Sequence, residues 1–169
     1  EPSAYNSSNA AAAFAVCRYL GLNPDSKDLV DFPGLARRQV VLADSSDRLV
    51  LEDYAHHPTE IRAILAEAEN HFPDRRLKVV FQPHRYSRTR AMIADFADEL
   101  SMADDLFFLP TYGAFESPDV DGEAEQIITY LSPRLRESTR VYSCFSDLRE
   151  AIGNAPLKGD QVLFLGAGD

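Results

Sequence analysis

Five short apolar runs recur along the chain: RLVLE (48–52), LKVVF (77–81), LFFL (106–109), RVYSC (140–144) and QVLFLG (161–166). Between them lie stretches with helical patterning, at 58–71, 88–102, 122–135 and 147–152. Continuous apolar runs suit strands buried on both faces, and their alternation with helices predicts βαβ units and a parallel sheet. QVVLA and RLVLE are separated by DSSD, which predicts an antiparallel hairpin. Upstream, SSNAAAAFAVCRYL (7–20) reads as a helix, since alanine is the best helix former, Asn6 or Ser7 can cap the start and Gly21 can end it. The expected fold is therefore α/β, a Rossmann-like, mostly parallel sheet flanked by helices. An N-terminal helical piece and a β-hairpin precede it. The pattern changes between about residues 34 and 41, and the expected division is 1–38 and 39–169.

Composition narrows the function classes. The chain has 169 residues, 45% of them hydrophobic, enough for one ordinary core. Asp plus Glu number 27 against 17 Lys plus Arg, a net charge of -10, which argues against nucleic acid or an anionic membrane as a partner. No apolar run approaches the roughly 20 residues a spanning helix needs. Cys17 and Cys144 lack CxxC spacing and sit in apolar contexts. They read as buried, reduced thiols, which suits a cytoplasmic protein. The abrupt ends, including the closing VLFLGAGD, suggest a piece of a longer protein.

In a parallel sheet, ligands sit beyond the carboxyl ends of the strands, so the informative residues should follow each run. FQPHRYSRTR (81–90) crowds His84, Arg85, Arg88 and Arg90 into one strand-to-helix loop, with Ser87 as the expected cap. Cations at a helix start oppose the dipole by about 0.3–1 kcal/mol each, so local stability does not explain them. A bound carboxylate or phosphate would, because helix N–H groups and guanidinium forks both grip anions. A loop salt-bridged to the chain's own acids is the alternative. EDYAHHPTE (52–60) also follows a strand, with Pro58 suited to the first helical position and His57 to the cap. Asp53, His56 and His57 there could contact substrate, move protons or simply cap the helix. With His84 they also admit a metal-dependent hydrolase. However, adjacent histidines diverge and no further His or Cys recurs at ligand spacing, so no metal site is assigned. YNSSNAAAA (5–13) places Asn6 and Asn9 three apart, for helix capping or for recognition of a polar ring or ribose. TYGAFESP (111–118) offers Tyr112 and Glu116 to the same mouth, or is a plain turn. GxxxxGK[ST] is absent, as are GxGxxG after a strand and GxSxG.

Together, EDYAHHPTE, FQPHRYSRTR, NSSNAAAA, FPGLARR and FLGAGD resemble the Mur ligases of peptidoglycan synthesis, over essentially the whole chain. The arginine stretch is the most specific of these motifs. The resemblance implies the tail of a central ATP-binding domain (1–38) and a C-terminal amino-acid-binding domain (39–169), with the UDP-sugar domain and the ATP phosphate loop missing. It implies ATP-dependent amide formation, in which the lactyl carboxylate of UDP-N-acetylmuramate becomes an acyl phosphate that the amine of L-alanine attacks. ATP and Mg2+ would serve the full-length enzyme. None would be held by this fragment, which would be inactive alone. By resemblance, His84, Arg85, Arg88 and Arg90, with Tyr112 and Glu116, bind the amino acid. Tyr54, His56 and His57 line the acyl-phosphate side, oriented by Asp53. Asn6, Asn9 and Arg37, or Arg38 in its place, meet ATP. The chain departs from the family at Tyr5, where histidine is usual, and at Phe115, where glycine is usual. These departures leave open a sister ligase that attaches another amino acid or a peptide. A stand-alone small-anion-binding module is the remaining alternative.

Overall fold

Successive side chains of the central strands pass from one apolar cluster to the other, as a sheet covered on two faces requires. Along 76–82, Leu77, Val79 and Phe81 join one apolar cluster while Val80 joins another. Along 160–166, Leu163 and Leu165 belong to the first cluster and Val162 to the second. The structure is a computed structural model, and it describes residues 4–29, 36–45, 48–153 and 159–168, without the side chains of 4–6 and 29. The hairpin turn at Ser46 and Asp47, most of the FPGLARR segment, Pro2 and Asp169 lie outside the described residues.

Two compact units divide the chain between Ala36 and Arg37. The first contains α1 (Ala4–Tyr19), which ends where Gly21 takes a positive φ, and a short 3-10 turn at Ser26–Leu29. Val16, Tyr19 and Leu20 are exposed on it.

The second unit holds β1 (Val40–Asp44), β2 (Arg48–Asp53), α2 (Pro58–His71), β3 (Arg76–Gln82), α3 (Tyr86–Ala91), α4 (Ile93–Leu100), β4 (Asp105–Phe108), α5 (Ala124–Tyr130), α6 (Pro133–Ser138), β5 (Arg140–Val141), α7 (Phe145–Gly153) and β6 (Asp160–Gly166). They form one six-stranded sheet in the order β1-β2-β6-β3-β4-β5. β1 and β2 are antiparallel and every other pairing is parallel, so the expected mostly parallel sheet and hairpin are both present. β6, the last strand in sequence, lies between β2 and β3. The larger cluster packs Ile61, Ile64 and Leu65 of α2, Phe96 and Leu100 of α4 and Ile127 of α5 against the sheet. Phe81, Phe96 and Phe108 are fully buried there, with ring centroids 5.5 and 5.9 Å apart. Leu148 of α7 packs on the other face against Val80 and Val162.

Four local expectations need correction. The helix read as 88–102 begins at Tyr86 and breaks at Met92 (φ -130), whose N–H is shared between the Arg88 and Thr89 carbonyls. The helix read as 122–135 is a 3-10 turn followed by two short helices, because Pro133 forces Ser132 out of helical geometry (ψ 152). The strand read as 140–144 ends at Val141. Cys144 is exposed rather than buried, and its sulfur lies 2.8 Å from the Ser146 hydroxyl.

Candidate functional site

Register aligns the carboxyl ends of the central strands, pairing Asp53 with Leu165 and Gln82 with Gly166. Pairing between β3 and β4 then extends past both strands, where His84 bridges Tyr112. The Arg85 N–H donates to Tyr112 O (2.7 Å) and the Tyr112 N–H to Pro83 O (2.8 Å). Two of the loops picked out from sequence are thus stitched together by backbone.

The β2 loop is organised by carboxylates. Asp53 is buried and accepts from the N–H groups of Gln39 (2.9 Å) and Ala55 (2.7 Å). Its burial raises its pKa against those two hydrogen bonds and the Arg38 guanidinium 3.7 Å away. Asp53 therefore shapes the loop, and it also lines the cavity at the strand ends. Pro58 occupies the first turn of α2 and His57 caps it, as expected. His57 Nδ1 accepts from the Thr59 N–H (3.3 Å), while Glu60 Oε2 accepts from the N–H groups of His56 (3.0 Å) and His57 (3.2 Å). This is a capping box built on histidine. Burial opposes ionisation of Glu60, but the hydrogen bond from the His56 N–H, the His56 ring and Arg38 outweigh it and its pKa is lowered. His56 Nδ1 lies 2.9 Å from Tyr54 O and 3.3 Å from Glu60 Oε2. Both partners are acceptors, so Nδ1 carries the proton and Nε2 faces away from them.

Arg37 and Arg38 stack on Tyr54, at 5.2 and 5.3 Å from its ring centroid. Arg37 also donates to Glu52 (2.9 Å) and Gly166 O (3.0 Å). Arg37 and Gln39 both have positive φ, a backbone cost held by these contacts. Of the other two residues expected at ATP, Asn9 is exposed on α1 and the side chain of Asn6 lies outside the described residues.

The arginine loop differs most from expectation. Ser87 is not the cap of α3; Arg85 stands at that position with φ 72 and makes no capping side-chain bond. The helix start is served instead by Glu116, which accepts from the Ser87 N–H (2.9 Å) and hydroxyl (2.5 Å). Those bonds lower the Glu116 pKa. The helix amides expected to bind a foreign anion thus hold the chain's own carboxylate. Arg90 pairs with Asp119 (2.6 Å). Arg85 is exposed, and Arg88 is half-buried with one contact to His84 O at 3.4 Å. Neither has an ion pair with a carboxylate among the described residues.

Two glycines set this geometry. A Cβ on Gly122 would lie 2.4–2.7 Å from backbone atoms of Tyr86, and one on Gly113 would lie 2.8 Å from the Tyr86 ring edge. Backbone cannot yield as a ring can. Gly122→Ala is expected to cost about 1–3 kcal/mol by overpacking, and Gly113→Ala less, read from urea unfolding midpoints. Beside them, Ala114 and Phe115 have positive φ and Phe115 is fully exposed. A bulky side chain in that conformation without burial is a strained loop tip.

Four rings complete the mouth. His56 and His84 meet edge to face at 5.9 Å, and His84 stacks on Tyr112 at 5.5 Å with a 25° interplanar angle. Tyr54 meets His56 edge to face at 5.1 Å. A cavity of about 630 Å³ opens beside this group, lined by Arg37, Gln82, Gly166 and Gly168 with Leu42 and Phe164. His56, His84, Arg85 and Arg88 do not line it. Among the described residues, no group of three His, Cys, Asp or Glu could hold a metal ion, and no helix is long and apolar enough to cross a membrane. Sequence reasoning missed Asp119 and Ser87 as partners of site residues, because both contacts span 29 positions.

Comparison with known proteins covers nearly the whole chain. The family described as Mur ligase, glutamate ligase domain, matches residues 36–168. UDP-N-acetylmuramate–L-alanine ligases from Coxiella burnetii and Nitrosomonas eutropha are 34% and 37% identical over 174 aligned positions. In each case 99% of this chain is covered but 37% of the relative, so the chain spans little more than a third of their length. The crystal structure of the UDP-N-acetylmuramate–alanine ligase of Thermotoga maritima matches with a TM-score of 0.75 and 27% identity, over 100% of this chain and 36% of that one. The murein peptide ligase of Psychrobacter arcticus matches with a TM-score of 0.74 and 26% identity, over 99% and 35%.

Proposed function

The chain belongs to the Mur ligase family, and we propose that it is the amino-acid-presenting part of an ATP-dependent ligase joining L-alanine to UDP-N-acetylmuramate. The observation that carries this reading is that Arg85 and Arg88, three positions apart in the loop at the sheet mouth, form no ion pair with a carboxylate among the described residues. In an acidic chain, two guanidiniums outside any ion pair at the end of a parallel sheet suit a small carboxylate ligand. Residues 1–38 would be the end of the ATP-binding domain and 39–169 the domain that delivers the amino acid.

The chain's own residues orient rather than activate. Arg85 and Arg88 fix the carboxylate, which sets where the amine points. The Tyr54–Arg37–Arg38 stack and the Glu60 clamp hold the β2 loop, and with it His56, on the side from which the activated carboxyl group would arrive. Holding both reactants in line is worth several kcal/mol of the barrier, about 7–11 in the most favourable cases. The residues present do not fit the nucleotide's phosphates. The sequence has no phosphate-binding GxxxxGK[ST] loop, and Arg37 is committed to Glu52 and Gly166. ATP and Mg2+ are therefore assigned to the longer protein, in the cytoplasm where these precursors would be made.

Transfer of a peptide instead of L-alanine is the second reading, favoured by the similar match to the murein peptide ligase. One assay separates the two. The full-length protein, given ATP and UDP-N-acetylmuramate, is expected to release phosphate with L-alanine and not with an alanine-initiated tripeptide. The reverse preference would replace the first reading with the second. The 169-residue chain alone is expected to give no ATP turnover under the same conditions, and robust hydrolysis by it would overturn the division of labour.

A further inference from the structure

Phe115 is the most exposed large hydrophobic side chain among the described residues. It stands at φ 73, and Ala114 before it at φ 47, so two successive residues hold a conformation that suits glycine. A ring left in water does nothing to offset that cost. The tip does not relax because the loop is braced on both sides of it, each time against residues 83–90. Before the tip, the Tyr112 N–H donates to Pro83 O and Tyr112 O accepts from the Arg85 N–H. After it, Glu116 holds the Ser87 N–H and hydroxyl, Asp119 pairs with Arg90, and Gly122 packs on the Tyr86 backbone. Backbone strain persists only where the surroundings over-determine it, and it gathers at sites that do something. The same loop exposes Tyr112 at the mouth and Val120 in the 3-10 turn at Val120–Gly122. Single exposed apolar residues are ordinary, but three within nine positions of a braced loop have the character of a contact surface.

We propose, resting on the ligase reading above, that the β4 loop is the surface on which the ATP- and UDP-sugar-binding part of the longer protein closes, with Phe115 buried only in that closed arrangement. The chain spans little more than a third of the relatives it matches and has no phosphate-binding GxxxxGK[ST] loop, so another part of the protein must deliver the activated carboxyl group. It must arrive at the carboxyl ends of the strands, the end from which the β4 loop projects. Tyr112 belongs to both places: it stacks on His84 in the mouth and begins the braced loop. The contact surface is therefore continuous with the site it would cover. Burying the ring is favourable in proportion to the apolar area taken from water, and that gain is available in the closed arrangement alone. A rigid tip suits this task better than a mobile one, because little ordering is left to be done on contact.

Phe115→Gly separates the two effects of this residue. In the 169-residue chain it relieves the strain and should raise the urea unfolding midpoint. In the full-length protein, given ATP, UDP-N-acetylmuramate and L-alanine, it should lower kcat about tenfold and leave the KM for L-alanine within about twofold, the pattern of a contact made only in the reacting complex. Phe115→Leu, which keeps apolar area, should recover part of the rate. Tyr130→Ser, which removes an exposed ring from α5, should change neither constant. Phe115→Trp reports burial directly, because the 169-residue chain has no tryptophan of its own. Its added emission should move to shorter wavelength in the full-length protein when ATP and UDP-N-acetylmuramate are both present, and should stay put in the 169-residue chain. An unchanged kcat in Phe115→Gly, or a tryptophan that remains in water in the full-length complex, overturns this inference and spares the ligase reading. So does a shift in the 169-residue chain that grows with its concentration, which would assign the tip to a second copy. If the unmodified full-length protein joins neither L-alanine nor a peptide to the sugar nucleotide, the ligase reading fails and this inference falls with it.

Discussion

Lys78→Met is expected to destabilise the 169-residue chain by about 3–5 kcal/mol, a large fraction of the stability of a typical domain. Lys78 sits inside the apolar run of β3, and its ammonium lies 2.6 Å from Asp160 of β6, with both side chains about 5% exposed. Removing the cation leaves a carboxylate with almost no access to water. Its desolvation cost is then uncompensated, and that produces most of the loss. The double variant Lys78→Met/Asp160→Leu removes both charges and should recover most or all of the stability. Urea unfolding of the wild type, both single variants and the double variant closes the cycle. A single-variant loss below about 1 kcal/mol would mean that water reaches the pair.

In the full-length enzyme, Arg88→Ala should raise the KM for the amino acid by about 10–100-fold, the equivalent of losing about 1.5–3 kcal/mol of charged hydrogen bonding. ATP affinity should change less than twofold. Among the described residues Arg88 makes one long hydrogen bond, to His84 O at 3.4 Å, so truncation should disturb the fold little. Arg90→Ala is the internal control. Its guanidinium is already held by Asp119, and amino-acid use should be nearly unaffected. Equal losses of amino-acid and ATP affinity in Arg88→Ala would remove the carboxylate role assigned to it.

These expectations show where sequence was sufficient. Pro58 with His57 before it announced a helix start, because both act within one turn. The strands of the sheet were visible because burial on both faces demands near-continuous apolar residues. The arginine loop was visible as a cluster, but not its internal arrangement. Glu116 serves the start of α3, and Asp119 claims Arg90, each from 29 positions away. Local propensity carries no trace of such contacts. Lys78 interrupts one apolar run and Asp160 directly precedes another. Only the parallel register of β3 on β6 makes them a pair.

Placing β6 between β2 and β3 has a consequence for synthesis on the ribosome. Until residues 160–166 emerge, β1 with β2 and β3 with β4 and β5 are two fragments of sheet, each with a raw edge and nothing to join them. The nascent chain must keep those edges from foreign partners until β6 emerges and joins them. Chaperones that shield strand edges should be found on ribosomes carrying this chain before Asp160 appears and not after Gly166.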